Sequence, residues 1–208
     1  KKNLPEIRTI YYIPPKVWAW GKKRIKKLSA FDDVIVIFPF EKKYFDSKKS
    51  ETGLDVKYFG NPLVDKYNFS NMLGDKVLLL PGSRKQEIKK FIPEILKLIK
   101  NEKMIKEKFI IKFADKSHLK YIEDINLKEI KNLEITFENI DKLRENCKYA
   151  IATSGTVTFE LALTGLPVIT VYKTSFVNAF IGRNILKIKY ISLTNLISGE
   201  EIFPELLQ

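Results

Sequence analysis

The sequence predicts an α/β fold made of two parallel-sheet units, the first of them incomplete. Three observations point to it. Short, continuous apolar runs alternate with longer stretches of helical periodicity. Most of the apolar runs lack the in-and-out alternation of a half-solvated sheet, so they read as strands covered on both faces. Finally, the 208-residue chain is 45% hydrophobic and 30% charged, too apolar for a disordered chain and too charged for a membrane bundle.

The first series contains the strand-like runs Thr9–Ile13, Val34–Phe38 and Val56–Phe59, with a helix-length stretch, Lys16–Leu28, after the first of them. The Gly60-Asn61-Pro62 turn and a polar stretch follow, which sets a linker at residues 68–75 after a partial unit of residues 1–67. A fuller series occupies residues 76–186, with strands at Val77–Leu80, Phe109–Phe113, Leu133–Phe137, Tyr149–Ala152 and Val168–Val171. Helices are expected at Lys85–Lys100, Ser117–Ile125, Thr156–Leu163 and Phe176–Leu186. Within the first of these, Ile88, Phe91, Ile92, Ile95, Leu96 and Ile99 recur at helical spacing and should bury one face. The second series reads as a nearly complete Rossmann-like unit, and the first as the tail of a similar one.

Single residues narrow the chemistry. One cysteine, Cys147, excludes an intrachain disulfide, and one histidine, His118, excludes a two-histidine zinc motif. No apolar run approaches the ~20 residues of a spanning helix. The chain opens on Lys1, so it is expected to begin inside a longer protein or to have been trimmed. Lys and Arg outnumber Asp and Glu by 37 to 25, which suits a polyanionic partner; lysine-rich genome usage explains the excess equally well. The excess is local at Lys16–Lys27, where Lys22, Lys23 and Arg24 stand among six cations beside Trp18 and Trp20, with no acid. Such a cluster suits an anionic membrane surface, or else forms an ordinary solvated helix face with its tryptophans in the core. Nucleic-acid binding fits poorly, because the aromatic residues sit mostly inside the apolar runs instead of between cations.

Two strand-to-helix corners carry the site chemistry. Leu80-Pro81-Gly82-Ser83-Arg84 leads a buried strand into a helix, with Ser83 and Arg84 placed to hold a phosphate. A capped helix with a solvated arginine is the plainer alternative. The spacing is not that of a P-loop. Ala152-Thr153-Ser154-Gly155-Thr156 repeats the design, and Glu160 follows one turn after Thr156 on the same helix face. A carboxylate there either accepts hydrogen bonds from ribose hydroxyls or compensates the helix dipole.

Seven segments occur in order: Tyr11-Tyr12-Ile13-Pro14-Pro15-Lys16-Val17-Trp18-Ala19-Trp20, Phe38-Pro39-Phe40-Glu41, Gly60-Asn61-Pro62-Leu63, Leu80 to Ile88, Ala152 to Glu160, Tyr190-Ile191-Ser192-Leu193-Thr194-Asn195, and Glu205-Leu206-Leu207-Gln208. Taken together, the chain resembles the lipid-A-disaccharide synthases over nearly its whole length. The resemblance implies a GT-B type fold, two Rossmann-like domains facing a cleft, with the C-terminal segment 187–208 returning toward it. It implies an inverting transfer of 2,3-diacylglucosamine from its UDP conjugate to 2,3-diacylglucosamine 1-phosphate (lipid X), without a cofactor or a catalytic metal.

By similarity, Ser83, Arg84, Ser154, Gly155, Thr156, Glu160 and Asn195 bind the nucleotide, and Arg84 stabilises the leaving diphosphate. The family's glycine-rich opening segment and proposed catalytic aspartate have no match among these residues, so the resemblance implies a general base outside them; Glu41 and Asp65 have no geometric claim to the role. Asn61 replaces the family's usual histidine, so it hydrogen-bonds but does not titrate near neutrality. Trp18, Trp20, Lys22, Lys23, Arg24 and Asn61 are the candidates for acceptor or membrane contact. The resemblance further implies the cytoplasmic face of the inner membrane of a Gram-negative bacterium, and leaves room for a homodimer. The alternatives are another UDP-sugar enzyme of the same fold (a glycolipid transferase or a UDP-N-acetylglucosamine epimerase) and a UDP-binding remnant without activity.

Overall fold

A computed structural model of the chain describes residues 6–17, 24–172 and 189–207. The chain passes from one compact unit to a second between Lys66 and Tyr67.

The first unit holds three parallel strands, β1 (Ile10–Tyr12), β2 (Asp33–Val36) and β3 (Val56–Tyr58), in that order across the sheet. Four short helices accompany them: α1 (Ile25–Leu28), α2 (Pro39–Asp46), α3 (Lys49–Thr52) and α4 (Leu63–Lys66). Val34, Val36 and Val56 pack with Val17, Ile25, Leu28, Phe45 and Leu54 into one apolar cluster. Pro39 opens α2, where its missing N–H costs nothing. Asp33, buried at the start of the central strand, is bridged by Arg8 and Lys57, both at 2.6 Å. These donors hold its carboxyl at about 2, well below the ordinary value.

The second unit is a six-stranded parallel sheet. Its strands are β4 (Lys76–Leu80), β5 (Lys108–Lys112), β6 (Leu133–Thr136), β7 (Cys147–Thr153), β8 (Val168–Tyr172) and β9 (Glu205–Leu207). They lie in the order β6-β5-β4-β7-β8-β9. The helices are α5 (Lys85–Ile99), α6 (Ile140–Arg144), α7 (Thr156–Thr164) and α8 (Leu193–Ser198).

Alternation of side chains along β4 separates two cores. Val77 and Leu79 face the Ile88, Phe91, Ile92, Ile95 and Ile99 side of α5. Leu78 and Leu80 join Ile110, Ala150, Ala152, Leu161 and Val168 on the other face. Both faces are covered, which is why the strands read as continuous apolar runs. Cys147 lies in the second of these cores, and burial pushes its thiol up to about 11.

Several elements differ from the sequence expectation. Of Lys16–Leu28, the described part is helical only over Ile25–Leu28; Pro14 and Pro15 lead into a tight turn at Val17, whose N–H donates to the Pro15 carbonyl at 2.6 Å. The stretch Ser117–Ile125 gives way to two 3₁₀ helices, Lys116–Tyr121 and Leu127–Glu129. Asp115 accepts from the Ser117 N–H, and the Asn126 amide donates to Glu129, so polar side chains compete with a regular helix here. Phe176–Leu186 lies outside the described residues. Residues 68–75, read as a linker in the sequence, are laced onto the second unit. The Ser70 N–H donates to the Thr164 carbonyl, the Gly74 N–H to the Cys147 carbonyl, and the Arg144 guanidinium to the carbonyls of Ser70 and Thr164.

Candidate functional site

Counted within the second unit, β4 is the first strand and β7 the fourth, and they are neighbours. The chain runs outward from β4 through β5 to β6, then returns to start again at β7 and runs the other way through β8 to β9. That reversal is the topological switch point of an open α/β sheet, and crevices beyond the carboxyl ends of the two switch strands are where such folds take their ligands. Leu80 pairs with Ala152 at that edge. The two corners read from the sequence therefore stand side by side. A Cβ placed on Gly82 would come within 3.0 Å of the Thr153 Oγ1.

The corner after β4 is internally satisfied. Gly82 has φ +98°, and a side chain on it would also meet the Glu87 carboxylate at 2.5 Å. That carboxylate reaches back one turn and accepts the backbone N–H groups of Ser83 at 3.1 Å and Arg84 at 3.2 Å. Arg84 adds a guanidinium contact to Glu87 at 2.9 Å, yet its side chain is 82% exposed and keeps most of its donors on the solvent side.

Among the described residues, the corner after β7 is open. Gly155 enters α7 in an extended conformation and contributes no side-chain cap, and the first turn of α7 carries no acid. A Cβ on Gly155 would meet nothing within 4 Å. The leading N–H groups of a helix have no intrahelical acceptor and carry the positive end of its dipole. Beside this corner lies a small hollow lined by Glu87, Lys90, Phe91, Thr153, Ser154 and Tyr172. The Ser154 hydroxyl donates to the Ile191 carbonyl at 3.1 Å.

Glu160 sits one turn into α7, with one carboxylate oxygen accepting from the Tyr67 hydroxyl at 2.6 Å. Lys112 ends β5; burial lowers its ammonium below the ordinary lysine range, and the negative charge of Glu160 opposes that shift.

Asn195 corrects the sequence expectation. It is wholly buried and spends its side chain inside the protein. Its amide donates to the Phe203 carbonyl and to Glu205, and its oxygen accepts from the N–H groups of Ile202 and Phe203. These four bonds occupy both amide hydrogens and both lone pairs of the oxygen, so its connection to the corner after β7 runs through other residues. Glu205 accepts the N–H groups of Ile191 and Ser192, and Ile191 in turn receives the Ser154 hydroxyl. Asn195 thus fixes the segment that braces the open corner.

Ser83, Arg84, Ser154, Gly155 and Thr156 all come to the carboxyl ends of β4 and β7. Arg24 and Asn61 belong to the first unit. Arg24 is exposed just ahead of α1. Asn61 is buried, its oxygen accepting from the Leu63 N–H at 3.0 Å, while its Nδ2 has no partner among the described residues. Trp18, Trp20, Lys22 and Lys23 lie outside the described residues. Three participants escaped the sequence reading: Glu87, Tyr67 and Glu205. Glu87 had a local signal, an acid three residues into a helix after a turn; Glu205 stood only as the head of the last family segment, and Tyr67 had no signal. Among the described residues, no group of three or more His, Cys, Asp or Glu could hold a metal ion, and no helix is long and apolar enough to cross a membrane.

Comparison with known proteins gives this crevice its setting. The chain is similar in fold to TarM, with a TM-score of 0.53 at 16% identity over 89% of this chain and 35% of that one. In sequence it is 35% identical to the lipid-A-disaccharide synthase of Persephonella marina, over 97% of this chain and 58% of that protein. It is 37% identical to the enzyme of the same name from Wigglesworthia glossinidia brevipalpis, over 100% of this chain and 57% of the relative. The chain thus spans rather more than half the length of these curated relatives. A family profile described as Lipid-A-disaccharide synthetase matches residues 1–208. With the expected parallel α/β sheets in place and two of its seven segments meeting at the switch point, the chain belongs to the lipid-A-disaccharide synthetase family.

Proposed function

We propose that this chain holds the sugar-nucleotide donor in a glycosyltransferase of lipid A biosynthesis. In this reading the crevice at β4 and β7 takes the UDP of UDP-2,3-diacylglucosamine. The sugar passes to the 6-hydroxyl of lipid X, giving the lipid A disaccharide 1-phosphate and free UDP. The observation that supports this most is the uncapped start of α7, open beside Gly155, next to a corner whose Arg84 projects into solvent. Negative charge grows on the diphosphate as the anomeric carbon–oxygen bond breaks, and fixed donors stabilise it best where they need no rearrangement. The leading N–H groups of α7, the Thr156 hydroxyl and the Arg84 guanidinium are such donors. Glu160, one turn further on, accepts the ribose hydroxyls.

Isothermal titration with UDP tests this on the wild type and on Arg84→Ala. The wild type is expected to bind. The variant is expected to fold normally, because the side chain is 82% exposed, and to lose affinity and, in the assembled enzyme, roughly 10²–10³ in rate. No binding by the wild type would remove the nucleotide site. Both substrates are acylated, so the enzyme works at a membrane surface, in this reading the cytoplasmic face of the inner membrane. The cationic stretch around Lys22, Lys23 and Arg24 is its docking element. Reversing those charges should abolish co-sedimentation with anionic vesicles, and undiminished co-sedimentation would reject the docking role.

A further inference from the structure

Glu160 is not left to find its own orientation. The Tyr67 hydroxyl donates to its Oε2 at 2.6 Å, the short distance of a charge-assisted O–H···O⁻ bond. Tyr67 is only 8% exposed, so its ring is fixed by packing. Its backbone is tied down on the side that follows it. It is the first residue of the second unit, and three residues later Ser70 is tied to Thr164 by its N–H and to Arg144 by its carbonyl. Thr164 ends α7, the helix that carries Glu160. The tyrosine and the carboxylate it grips, 93 residues apart in sequence, thus belong to one unit and are linked a second time through Ser70 and Thr164.

Resting on the nucleotide site proposed above, we infer that Tyr67 is a positioning residue for recognition of the ribose diol. A carboxylate has about four lone-pair directions over its two oxygens. With Oε2 engaged by Tyr67, the carboxylate plane is set and Oε1 is presented in one orientation. A flexible glutamate would lose that side-chain freedom on binding, and a preoriented one has already lost it. The tyrosine therefore acts on discrimination by the hydroxyls, and the grip on the diphosphate belongs to the two corners.

Titration of UDP against 2′,3′-dideoxy-UDP, on wild type, Tyr67→Phe, Glu160→Gln and the double variant, tests this directly. The wild type is expected to prefer UDP by roughly ten- to a hundredfold, the range of a hydrogen bond to a charged group. Tyr67→Phe should lose most of that preference while binding dideoxy-UDP as the wild type does. Glu160→Gln should lose the same preference, and the double variant should lose little more, because both act through one carboxylate. Thermal melts of all four accompany the titrations. Equal weakening of both nucleotides in Tyr67→Phe, or a lowered melting temperature with the preference intact, would reduce Tyr67 to a packing residue and overturn the inference alone. Should Tyr67→Phe fail to fold, Glu160→Gln decides the matter, since an unchanged preference there leaves nothing for Tyr67 to position. A wild type that binds neither nucleotide would overturn the inference together with the nucleotide site.

Discussion

The two corners at the switch point share a local design and differ in what fills the first turn of the helix. After β4, Glu87 folds back onto the N–H groups of Ser83 and Arg84, so the protein supplies its own anion. After β7, among the described residues, no side chain caps α7 and no atom lies within 4 Å of a Cβ built on Gly155. The glycines differ accordingly. Gly82 is demanded by a positive φ and by the crowding of Glu87 and Thr153. Gly155 meets no such demand from its backbone or from the described neighbours, which leaves room for the diphosphate of the proposed site. The contrast teaches that an anion site is recognised by what the protein withholds. A capped helix start has its leading N–H groups satisfied, and an uncapped one leaves them for the anion of the proposed site.

Substituting the two glycines breaks the comparison most sharply. Gly155→Asp places a good N-cap carboxylate on α7, where the backbone accepts any residue and nothing stands in the way. It should leave the melting temperature unchanged or slightly raised. It should also abolish UDP binding, since a like charge at an anion site costs several kcal/mol, about a thousandfold. Gly82→Ala should do the reverse, destabilising the second unit by about 1–3 kcal/mol through strain at positive φ, measured by denaturant unfolding. If both variants bind UDP equally well, the difference between the corners carries no functional meaning.

The smallest expected effect lies away from both corners, in the first unit, and serves as a control. Asp33 has its carboxyl lowered from 3.8 to about 2 by Arg8 and Lys57. A depressed carboxyl stabilises the folded state above its unfolded value, and that contribution fades as pH falls from about 4 to about 2. Acid unfolding of the first unit should therefore steepen in this window for the wild type, and Asp33→Asn should flatten it. UDP affinity at neutral pH should be unaffected by the substitution. An unchanged acid slope in Asp33→Asn would show that the ion pairs contribute nothing to the folded state.

What could be read from the sequence followed the range of the interactions. The β4 strand and α5 were legible because burial on two faces makes a continuous apolar run and burial on one face makes a 3.6-residue period. Both corners were legible because turn residues act locally. The strand β9 was not. Glu205–Leu207 is three residues long, its Leu206 is exposed, and only pairing with β8 makes it a strand. Helix α2 was hidden for a similar reason, since Pro39 reads as a break until its place at the first helical position is known. Side-chain partnerships across long separations, such as Tyr67 with Glu160 and Asn195 with Glu205, leave no periodic trace. The role of Asn195 illustrates this best: its motif marked it as important, and only its four internal hydrogen bonds tell why.

The account turns on phosphate meeting the open start of α7 and the neighbouring Arg84. Following backbone amide resonances during titration with UDP tests that most directly. Large, saturable shifts at Gly155, Thr156 and Val157, with smaller ones at Ser83 and Arg84, are the predicted result. Saturable binding that leaves the α7 amides unmoved would contradict it.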